Sequence, residues 1–570
     1  METAEAIAGL EDALKLPAPL CRLLFRRGFT QIDDAKLYLK PRLDQLLDPF
    51  MLKGMEGAVD RLEHALQHNE IILVHGDYDV DGICAAVLFA RVLRKLGGRV
   101  EAFVPHRRHD GYDLSQAGVR AAARAGAALI VTGDCGIVAH DAIETATQLG
   151  IDVIVTDHHT PGDALPAAAA VVNPNQTGCT YVNKALCGAG VAFKLCQALW
   201  SRRGLPAEEL WYYLDLVAVA TIADLAPLSG ENRVIAKYGL KLLAQSQNIG
   251  MRALLRTAGL FDLEQLTAGQ VSHVLAPRIN AVGRMSEASK GVRLLLEEDE
   301  ARASELANTL ESENRTRQAV DRETLAHALE QLESTYDPAR DYAIVLGGEG
   351  WHPGVIGIVA SRVVERLHRP TILFAIDRNA PLARGSARSI PGFHLYDAIK
   401  ECGHYLERFG GHKHAAGMDI RPERIAEFRE AFQEVARSRL TPDDMVSEVD
   451  FDLEVQLGDA SHKLTQLMRH FGPFGIGNPS PVFVARGVRV SGNPREVGEG
   501  HVKVELVQDA STLSAIGFGM AERLREVDHT QTAIDIAFQL QENYWNGRVE
   551  LQMRLVDFRP TDPLDLLVRR

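Results

Sequence analysis

The sequence has few of the features that mark secreted, zinc-ribbon or membrane proteins. Its 7 cysteines are scattered and no two form a Cys-x-x-Cys pair, which argues against a disulfide framework or a zinc ribbon. The amino terminus has no basic segment followed by an apolar core, so we expect no secretory signal. The longest apolar stretch, about 214–228, is interrupted by Asp215 and Asp224 and is too short to span a bilayer. We therefore expect a cytoplasmic protein with no membrane partner.

Positive charge is also scarce. The chain carries 62 Lys and Arg against 76 Asp and Glu, a formal net charge of −14. This balance argues against a protein that coats nucleic acid through an overall basic surface, although it leaves room for a local basic channel. At 570 residues, 46% of them apolar, the chain is too long for one core, and we expect several folded domains.

Three short acidic stretches are the most informative feature that is present. Each directly follows a run of β-forming apolar residues, and amphipathic helical stretches separate them, which is typical of a parallel βαβ sheet. The stretches are His75–Gly82, Gly133–Gly136 and Asp157–His159, after the runs 71–74, 129–132 and 153–156. Right-handed crossovers bring all three loops to one edge, at the carboxyl ends of the strands, where open α/β sheets bind ligands.

The side chains expected at this edge are carboxylates and imidazoles. Clustered carboxylates repel one another, so a bound cation is a natural reason for such a cluster, and oxygen-rich ligand sets suit hard divalent ions rather than zinc in a thiolate site. Asp224, an acid inside an apolar helical run, also needs a partner. Two ions about 3.5–4 Å apart would serve phosphoryl chemistry. The alternative is that these acids are turn signals and strand-end caps.

Other parts of the chain show different patterns. A Gly/Pro-punctuated segment, 276–284, carries two Arg and one Asn, and the stretch 294–335 reads as a long connecting helix with a solvated charged face. A second α/β unit begins near Asp341 and contains the Gly-rich stretches 347–354 and 409–417. Beyond about Asp450 short alternating strands predict a small all-β barrel, with Tyr544 and Trp545 beside a hairpin turn.

The motifs resemble those of a known superfamily. His75-Gly-Asp-Tyr-Asp-Val-Asp-Gly, Asp134, Asp157-His-His and Asp224 are similar to the four motifs of the DHH phosphoesterases. Four further segments resemble the narrower RecJ branch of single-stranded-DNA-specific exonucleases, and they are Pro277–Met285, Trp351–Arg362, Ser386–Ser389 and Phe474–Pro479. The resemblance covers positions 46 to 560, and the small members of the superfamily lack the second set of segments.

The resemblance implies an α/β fold: a parallel-sheet DHH domain, a smaller α/β DHH-associated domain joined to it by a long helix, and a C-terminal OB-type β-barrel. We place an N-terminal segment at 1–45, the DHH catalytic domain at 46–293 and the connecting helix at 294–335. A DHH-associated substrate-binding domain follows at 336–445, and an OB-fold-like nucleic-acid-binding domain at 446–570.

The resemblance also implies a set of ligands for two divalent cations, Mn²⁺ or Mg²⁺. These candidates are His75, Asp79, Asp81, Asp134, His158 and Asp224. Asp79, Asp134 and His75 would form one site, and Asp81, Asp134, His158 and Asp224 the other. Catalytic candidates are Asp134, His159, Asp157 and Asp77: Asp77 and Asp157 would orient the ligands, and His159 would contact the scissile phosphate or assist the leaving oxygen.

Candidates for contact with DNA come from several segments. They are Arg278, Asn280, Arg284, Arg107, Tyr112, His352, Arg362, Arg388, His412 and His414. Arginines would hold phosphates, Tyr112 would stack on a base, and Gly-rich stretches would let the backbone approach an anion. The alternatives are solvated or salt-bridged arginines and a generic exposed loop.

By this resemblance we expect a single-stranded-DNA-specific 5′→3′ exonuclease that releases 5′ mononucleotides, in DNA repair and recombination. It would be a monomer, with a helicase and a single-strand-binding protein as possible partners. Two alternatives stay open. One is another DHH phosphoesterase, acting on short oligonucleotides, cyclic dinucleotides or pyrophosphate. The other is a non-catalytic repair or replication scaffold, against which the intact acidic motifs argue, because clustered carboxylates are costly without metal.

Overall fold

Three β-sheets follow one another along the chain in a computed structural model, which describes residues 2–106, 110–111, 113–498, 500–526, 532–545 and 548–561. The strands are β1 Ile71–Gly76, β2 Arg99–Phe103, β3 Leu129–Gly133, β4 Asp152–Thr156, β5 Ala170–Val172, β6 Ile344–Glu349, β7 Thr371–Ile376, β8 Ala383–Arg388, β9 Leu406–Gly411, β10 Ala415–Ile420, β11 Leu453–Glu454, β12 Phe483–Val497, β13 His501–Gln508, β14 Ser511–Gly517, β15 Ile534–Trp545 and β16 Arg548–Pro560.

Most of the remaining ordered chain is helical. The α-helices are α1 Glu2–Leu14, α2 Ala18–Arg26, α3 Ile32–Leu39, α4 Met55–Gln67, α5 Val80–Lys95, α6 Gln116–Ala125, α7 His140–Gln148, α8 Gly188–Arg202, α9 Ala207–Trp211, α10 Leu214–Ala223, α11 Gly230–Leu243, α12 Ile249–Thr257, α13 Ala268–Gln270, α14 Ala276–Met285, α15 Ser289–Leu296, α16 Glu300–Thr335, α17 Ile356–Leu367, α18 Leu395–Glu401, α19 Ile425–Arg439, α20 His462–Met468 and α21 Ala521–Glu526. Among the described residues, no helix combines the length and apolarity that crossing a membrane requires.

The first sheet is entirely parallel, in the order β2-β1-β3-β4-β5. Its central strands are buried on both faces, as sheets covered by crossover helices are. One face packs on α5 and α8, and the other on α6 and α7. The predicted parallel-sheet domain is confirmed, and the three acidic loops leave the same edge of the sheet.

The connecting helix differs from its predicted form. It begins at Glu300 rather than at residue 294, because Asp299 caps it by accepting a hydrogen bond from the Arg302 backbone N–H at 2.8 Å. Its face is not wholly solvated either, since Asn314 and Asp321 are each 1% exposed. The segment 276–284, which contains Pro277 and Gly283, is helical, with its proline in the first turn of α14.

The second and third sheets complete the predicted architecture. The second has the order β6-β7-β8-β10-β9, with β6 and β7 parallel and the other neighbours antiparallel. In the third, β12 pairs with both β13 and β15, and β13, β14, β16 and β15 continue the circuit, so five strands close into a barrel. This is the OB-type barrel expected from the alternating strands.

The N-terminal helices α1–α3 belong to the barrel rather than to the first sheet. Their buried side chains, including Leu20, Leu23 and Leu24, share one hydrophobic cluster with barrel residues such as Phe483 and Phe538. The chain therefore passes from the barrel surface into the first domain near residue 46, and both ends of the described chain meet in one core.

One buried ion pair holds the linker between the N-terminal helices and the first domain. Lys194 and Glu231 form an ion pair with side chains 0% and 1% exposed. Glu231 also accepts hydrogen bonds from the Leu47 N–H at 3.0 Å and the Tyr181 hydroxyl at 2.8 Å, and Lys194 donates to the Leu47 carbonyl at 2.8 Å. The pair thus holds the linker at Leu47 against α8 and α11.

We expect Glu231→Ala to lower the free energy of unfolding of the first domain by about 3–5 kcal/mol, because it leaves the Lys194 ammonium buried and unpaired. Urea unfolding followed by circular dichroism measures this loss. The control is Glu407→Ala, which removes an exposed ion pair with Arg421 at 2.8 Å and should cost less than about 1 kcal/mol. Equal losses for the two variants would contradict the role given to the buried pair.

Candidate metal centre and nucleic-acid cleft

The acidic edge of the first sheet is a compact, buried cluster. Asp77 follows β1, Asp134 follows β3 and Asp157 follows β4, and these residues are 3%, 3% and 1% exposed. Because neighbouring parallel strands end side by side, loops distant in sequence converge here. The prediction that the three loops would meet is therefore confirmed.

The loop after β1 is shaped by its own backbone hydrogen bonds. Asp79 Oδ1 accepts from the Asp81 N–H at 2.9 Å and the Gly82 N–H at 3.2 Å, and so caps α5. A Cβ at Gly82 would lie 2.2 Å from the Asp77 backbone nitrogen, so only glycine fits there. The Val80 N–H donates to Asn280 Oδ1 at 3.2 Å, which ties this loop to α14.

Asp81 joins the loop to the N-terminus of α8. Its two carboxylate oxygens accept hydrogen bonds from the Gly188 N–H at 2.6 Å and the Ala189 N–H at 2.7 Å. A helix N-terminus favours a negative charge. Burial nevertheless raises the pKa of Asp81, and the charge of Asp79 adds to that rise. A Cβ at Gly188 would lie 2.3 Å from Asp134 Cβ, so the helix approaches the cluster as closely as the backbone allows.

The two histidines after β4 have different partners. His158 Nε2 lies 3.1 Å from Asp134 Oδ1, 3.8 Å from Asp81 and 3.9 Å from Asp224, which places it inside the cluster. Burial lowers the pKa of His158, which favours the neutral, ligating form. Asn175 Nδ2 donates to the His158 carbonyl at 2.6 Å and helps to fix the loop.

His159 is held by Asp157 instead. Asp157 Oδ1 lies 2.7 Å from His159 Nδ1 and accepts from the backbone N–H groups of His158 at 2.7 Å and His159 at 3.0 Å. Burial alone would lower the pKa of His159, but the hydrogen bond to Asp157 raises it to about 9. Burial would also raise the pKa of Asp157, and the hydrogen bonds from His159 outweigh it and lower that pKa. The orienting role predicted for Asp157 agrees with this geometry.

Three overlapping groups of side chains have the geometry of cation ligands, with ligand atoms within 4.8 Å of one another in each. They are Asp77 with Asp79 and Asp134, Asp81 with His158 and Asp224, and Asp134 with His158 and His159. Asp134 and His158 each belong to two of the groups, and they share the group that contains His159. Asp77, which we expected only to orient ligands, is therefore placed among them.

The cluster suits divalent cations on electrostatic grounds. Burial and the neighbouring carboxylates of Asp81 and Asp79 raise the pKa of Asp134 well above its usual range, and burial and Asp79 do the same for Asp77. Among the residues that the structure describes, the buried Oδ1 atoms of both side chains accept no hydrogen bond. Asp224, at the end of α10, has its pKa raised to about 8 by burial and by Asp81. Such oxygens need positive charge, which a hard cation supplies.

His75 lies apart from these groups, in contrast to its predicted ligand role. It is 0% exposed, its ring centroid lies 5.3 Å from that of Phe103, and its Nδ1 lies 3.5 Å from Cys135 Sγ. A Cβ at Gly118 of α6 would lie 2.7 Å from His75 Nε2, so the ring faces α6. Burial lowers its pKa to about 4 and keeps it neutral. The reason is that His75 is still a residue of β1, and its side chain points to one face of the sheet.

Two supporting residues were missed by sequence reasoning. Asp113 Oδ1 accepts from the Gly136 N–H at 2.5 Å, and Asn173 Nδ2 donates to the His159 carbonyl at 2.9 Å. Asp113 comes after β2, at the same edge as the cluster, and that position was the available signal. Asn173 directly follows β5, the short fifth strand, which carried no comparable acidic motif.

A cleft of about 880 Å³ lies between this edge and the second sheet. Its first-domain wall includes Asp157, His159 and Arg284, and its second-domain wall includes Arg388 and His412. Gly410 and Gly417, on the paired strands β9 and β10, leave the second wall open to close approach of a ligand. Asp157 and His159 at the acidic edge, the arginines and the glycine-rich strands therefore face one space.

Only some of the arginines predicted to contact DNA line the cleft. Arg284 lines the cleft and donates to the Gly354 carbonyl at 3.2 Å, and Arg388 lines it beside Ser386. Arg278 is paired with Glu311 at 2.7 Å, and Arg362 with Asp321 at 3.0 Å, as the salt-bridge alternative allowed.

The remaining candidates also differ in position. Asn280 supports the β1 loop through Val80, His352 Nδ1 accepts from the Gly354 N–H at 3.1 Å, and His414 is exposed. Arg107 and Tyr112 lie outside the described residues, as do the side chains of Tyr544 and Trp545.

Family models match each of the three sheets. The DHH family, N-terminal domain, matches residues 71–221, the DHHA1 domain matches 340–438 and the RecJ OB domain matches 451–557. These matches assign the fold and its acidic edge to the DHH class of proteins.

Whole-chain relatives narrow this class. The single-stranded-DNA-specific exonuclease RecJ of Bacillus subtilis (strain 168) is 38% identical over 97% of this chain and 69% of its own length. The protein of the same name from Escherichia coli (strain K12) is 36% identical over 96% of each chain. The crystal structure of RecJ in complex with Mn²⁺ from Thermus thermophilus is 32% identical, with a TM-score of 0.82 over 99% of this chain and 82% of that one. The chain belongs to the RecJ family.

We expect Asp134→Asn to stabilise the metal-free protein, because it removes one of several buried, mutually repelling carboxylates. The same variant should lose most of the rise in melting temperature that Mn²⁺ gives the native protein. That rise corresponds to about 2.7 kcal/mol when free metal is a hundred times its Kd. Differential scanning calorimetry with EDTA and with Mn²⁺ measures both effects.

Asp163→Asn is the matched control, because Asp163 is an exposed acid in a loop outside the cluster. It should leave both melting temperatures unchanged. An Asp134→Asn protein that still gains the native increment from Mn²⁺ would show that Asp134 holds no cation.

Proposed function

We propose that the protein is a single-stranded-DNA-specific exonuclease that hydrolyses phosphodiester bonds from the 5′ end and releases 5′ mononucleotides, in DNA repair and recombination. The observation that carries this proposal is the buried set of Asp and His ligand groups next to a cleft, which His159 lines on one wall and arginine and glycine line on the other. Membership of the RecJ family supports the substrate, since the relatives are named single-stranded-DNA-specific exonucleases, and the polarity is proposed from the resemblance of the motifs. It also supports Mn²⁺ or Mg²⁺ as the cofactor, since RecJ of Thermus thermophilus has been crystallised with each.

The three groups of ligand atoms support a proposed assignment of ligands to two cations. Asp77, Asp79 and Asp134 would hold one, and Asp81, His158 and Asp224 the other, with Asp134 and His158 close to both. Two divalent cations bound there would lower the pKa of the attacking water and stabilise the negative charge that develops on the phosphate oxygens. The protein fixes this arrangement beforehand, since backbone N–H groups hold Asp79 and Asp81 in place.

His159 is in a position to contact the substrate as well as to lie close to the cations. It lines the cleft, and its Nδ1 is held 2.7 Å from Asp157, so that Nε2, on the opposite side of the ring, can face a bound phosphate. An imidazolium stabilised by Asp157 can donate a hydrogen bond to the scissile phosphate or a proton to the leaving oxygen. We therefore assign His159 the role of proton donor and Asp157 that of its orienting partner.

The walls of the cleft would hold the strand. Arg284 and Arg388 supply positive charge on opposite walls, which a backbone phosphate can bridge. The barrel adds a second surface of the kind that binds single strands through aromatic and basic side chains. The local concentration of arginine in the cleft reconciles DNA binding with the net charge of −14.

The biological setting follows from the same proposal. An enzyme that accepts only single strands needs duplex DNA to be opened first, so a helicase and a single-strand-binding protein are the partners that we propose, in the cytoplasm. We further propose that the protein acts as a monomer, because the described chain carries a complete set of ligand groups within one copy.

A nuclease assay on single- and double-stranded DNA, labelled at either end, tests the function. We expect 5′ mononucleotides from the single strand only, with Mn²⁺ or Mg²⁺ and not with EDTA. Asp134→Ala should abolish cleavage and leave strand binding measurable. Cleavage confined to fragments of two to five nucleotides, or to cyclic dinucleotides, would instead identify another type of DHH phosphoesterase. Absence of turnover with every metal would favour the non-catalytic scaffold.

We expect Arg388→Ala to raise KM for single-stranded DNA with a smaller change in kcat, since Arg388 lines the cleft beside the cluster and would hold a phosphate. For this variant, the slope of the logarithm of the DNA-binding constant against the logarithm of the salt concentration should become shallower by about one. Fluorescence anisotropy with a labelled strand measures that slope.

Arg378→Ala serves as the control. Arg378 is exposed and ion-paired with Glu349, and it does not line the cleft. This variant should keep the native salt slope and KM. If Arg388→Ala also kept the native slope, the assignment of a phosphate to Arg388 would have to be withdrawn.

A further inference from the structure

The loop that follows Asp224 is covered by a hairpin from another domain. Asp224 ends α10, and the next residue, Leu225, has a φ of 58°, a left-handed conformation that is costly for a residue with a side chain. Such strain persists only where the surrounding structure holds it. Two contacts for this loop come from residues 475–477, which belong to the segment just before the barrel strand β12.

The hairpin is tight and directed at the loop. Gly475 and Asn478 exchange backbone hydrogen bonds of 2.9 and 3.1 Å, with Gly477 at a φ of 70°. The Leu228 N–H donates to the Ile476 carbonyl at 2.6 Å. A Cβ at Gly477 would lie 2.9 Å from Pro227 Cβ, so the hairpin backbone is in direct contact with the Pro227 ring.

The base of the hairpin is rigid, because Asn478 is 4% exposed and uses its whole side-chain amide. Its Oδ1 accepts from Tyr38 at 2.8 Å and Arg27 at 3.0 Å, both in the N-terminal segment. Its Nδ2 donates to the carbonyls of Phe471 at 2.9 Å and Pro473 at 2.8 Å. The hairpin cannot move without breaking these bonds, so the N-terminal helices support it.

A residue of the first domain also donates hydrogen bonds to the chain just before the hairpin. Arg233, which is 3% exposed, donates to the carbonyls of Tyr38 at 3.0 Å, His470 at 3.2 Å and Gly472 at 2.8 Å. Its guanidinium also lies 4.0 Å from the Tyr38 ring centroid. The hairpin is thereby fixed relative to α11, and through α11 to the ligand cluster.

We propose that the hairpin 475–478 is a positioning element for the metal centre: it holds the loop Leu225–Leu228 so that Asp224 reaches the cation it shares with Asp81 and His158. The proposal rests on the proposed ligand role of Asp224. Asp224 differs from the other candidates of these groups because it follows a helix, α10, and not a strand of the first sheet, and its side chain is 32% exposed. Its position therefore depends on the loop that follows it.

Two glycines of the barrel domain provide a matched pair of variants. Gly477 and Gly492 have φ values of 70° and 69°, so alanine carries the same backbone strain at each position. A Cβ at Gly477 meets Pro227, whereas a Cβ at Gly492 meets nothing within 4 Å. The difference between Gly477→Ala and Gly492→Ala is therefore the contact with the loop that carries Asp224.

Isothermal titration of the metal-free, full-length protein with Mn²⁺, without DNA, tests the proposal. Gly477→Ala should bind one of two ions about tenfold more weakly, the effect typical of residues that orient metal ligands, and Gly492→Ala should bind both as the native protein does. In the nuclease assay, Gly477→Ala should need more Mn²⁺ for half-maximal rate and recover the native kcat at saturating Mn²⁺. A merely structural contact would not give this recovery.

The outcomes separate the positioning role from the ligand assignment. Asp224→Asn should lose one ion; if it binds two ions normally, Asp224 is not a ligand and the assignment itself fails. If Asp224→Asn loses an ion while folded Gly477→Ala binds both with native affinity, only the positioning role is overturned. Should Gly477→Ala fail to fold, Gly475→Val decides by the same criterion. Gly475 has no left-handed φ, and its Cβ would lie 2.8 Å from Leu228 Cδ1.

Discussion

The mutual repulsion of buried carboxylates at the edge of the first sheet is the constraint on which the structure depends. Asp77 and Asp134 have carboxylate oxygens within 4.8 Å of each other, and the charge of Asp81 helps to raise the pKa of Asp134, in a buried place where water screens little. Backbone N–H groups of two helices partly offset that charge. The N-terminus of α8 donates hydrogen bonds to Asp81, and the first turn of α5 donates to Asp79. These donors hold both oxygens of Asp81 and one of Asp79, whereas the buried Oδ1 atoms of Asp77 and Asp134 accept no hydrogen bond within the described part of the chain and are left for cations. The site is thus built to be completed by metal, and its geometry is set by backbone rather than by flexible side chains.

Much of this arrangement follows from the sequence. Three β-forming runs, each ending in acid, predict a parallel sheet and a shared edge, and the alternating strands after Asp450 predict the barrel. To predict where the side chain of His75 lies, one also has to know which residues of β1 point to each face of the sheet. Successive strand residues point to opposite faces, so His75 lies with Leu73 on the face that packs under α6, while Val74 faces α5. Asp77 lies one residue beyond the strand, so the alternation of faces does not apply to it, and its side chain points toward the cluster.

The connecting helix shows why single residues are harder to predict than elements. Its composition indicated a helix, and a helix is present, but a run of charges does not reveal which of them meet a partner. Glu311 pairs with Arg278 of α14, and Asp321 with Arg362 of α17. Both partners are distant enough in the chain that only the packed structure brings them together. These pairs link the helix to each α/β domain, and the two domains form the walls of the cleft.

The core shared by the N-terminal helices and the barrel has a consequence for the order in which the protein can form. The helices α1–α3 are synthesised before both α/β domains, yet the strands that cover their apolar faces are synthesised after them. Domains generally fold as they emerge, so the first sheet can assemble around its own contacts while these helices still lack a partner. The apolar side chains of Leu20, Leu23 and Leu24 stay uncovered during that interval, which is when a chaperone or a protease would act on the chain. Completion of the barrel is therefore a late step of folding, and the same step seats the hairpin beside Asp224.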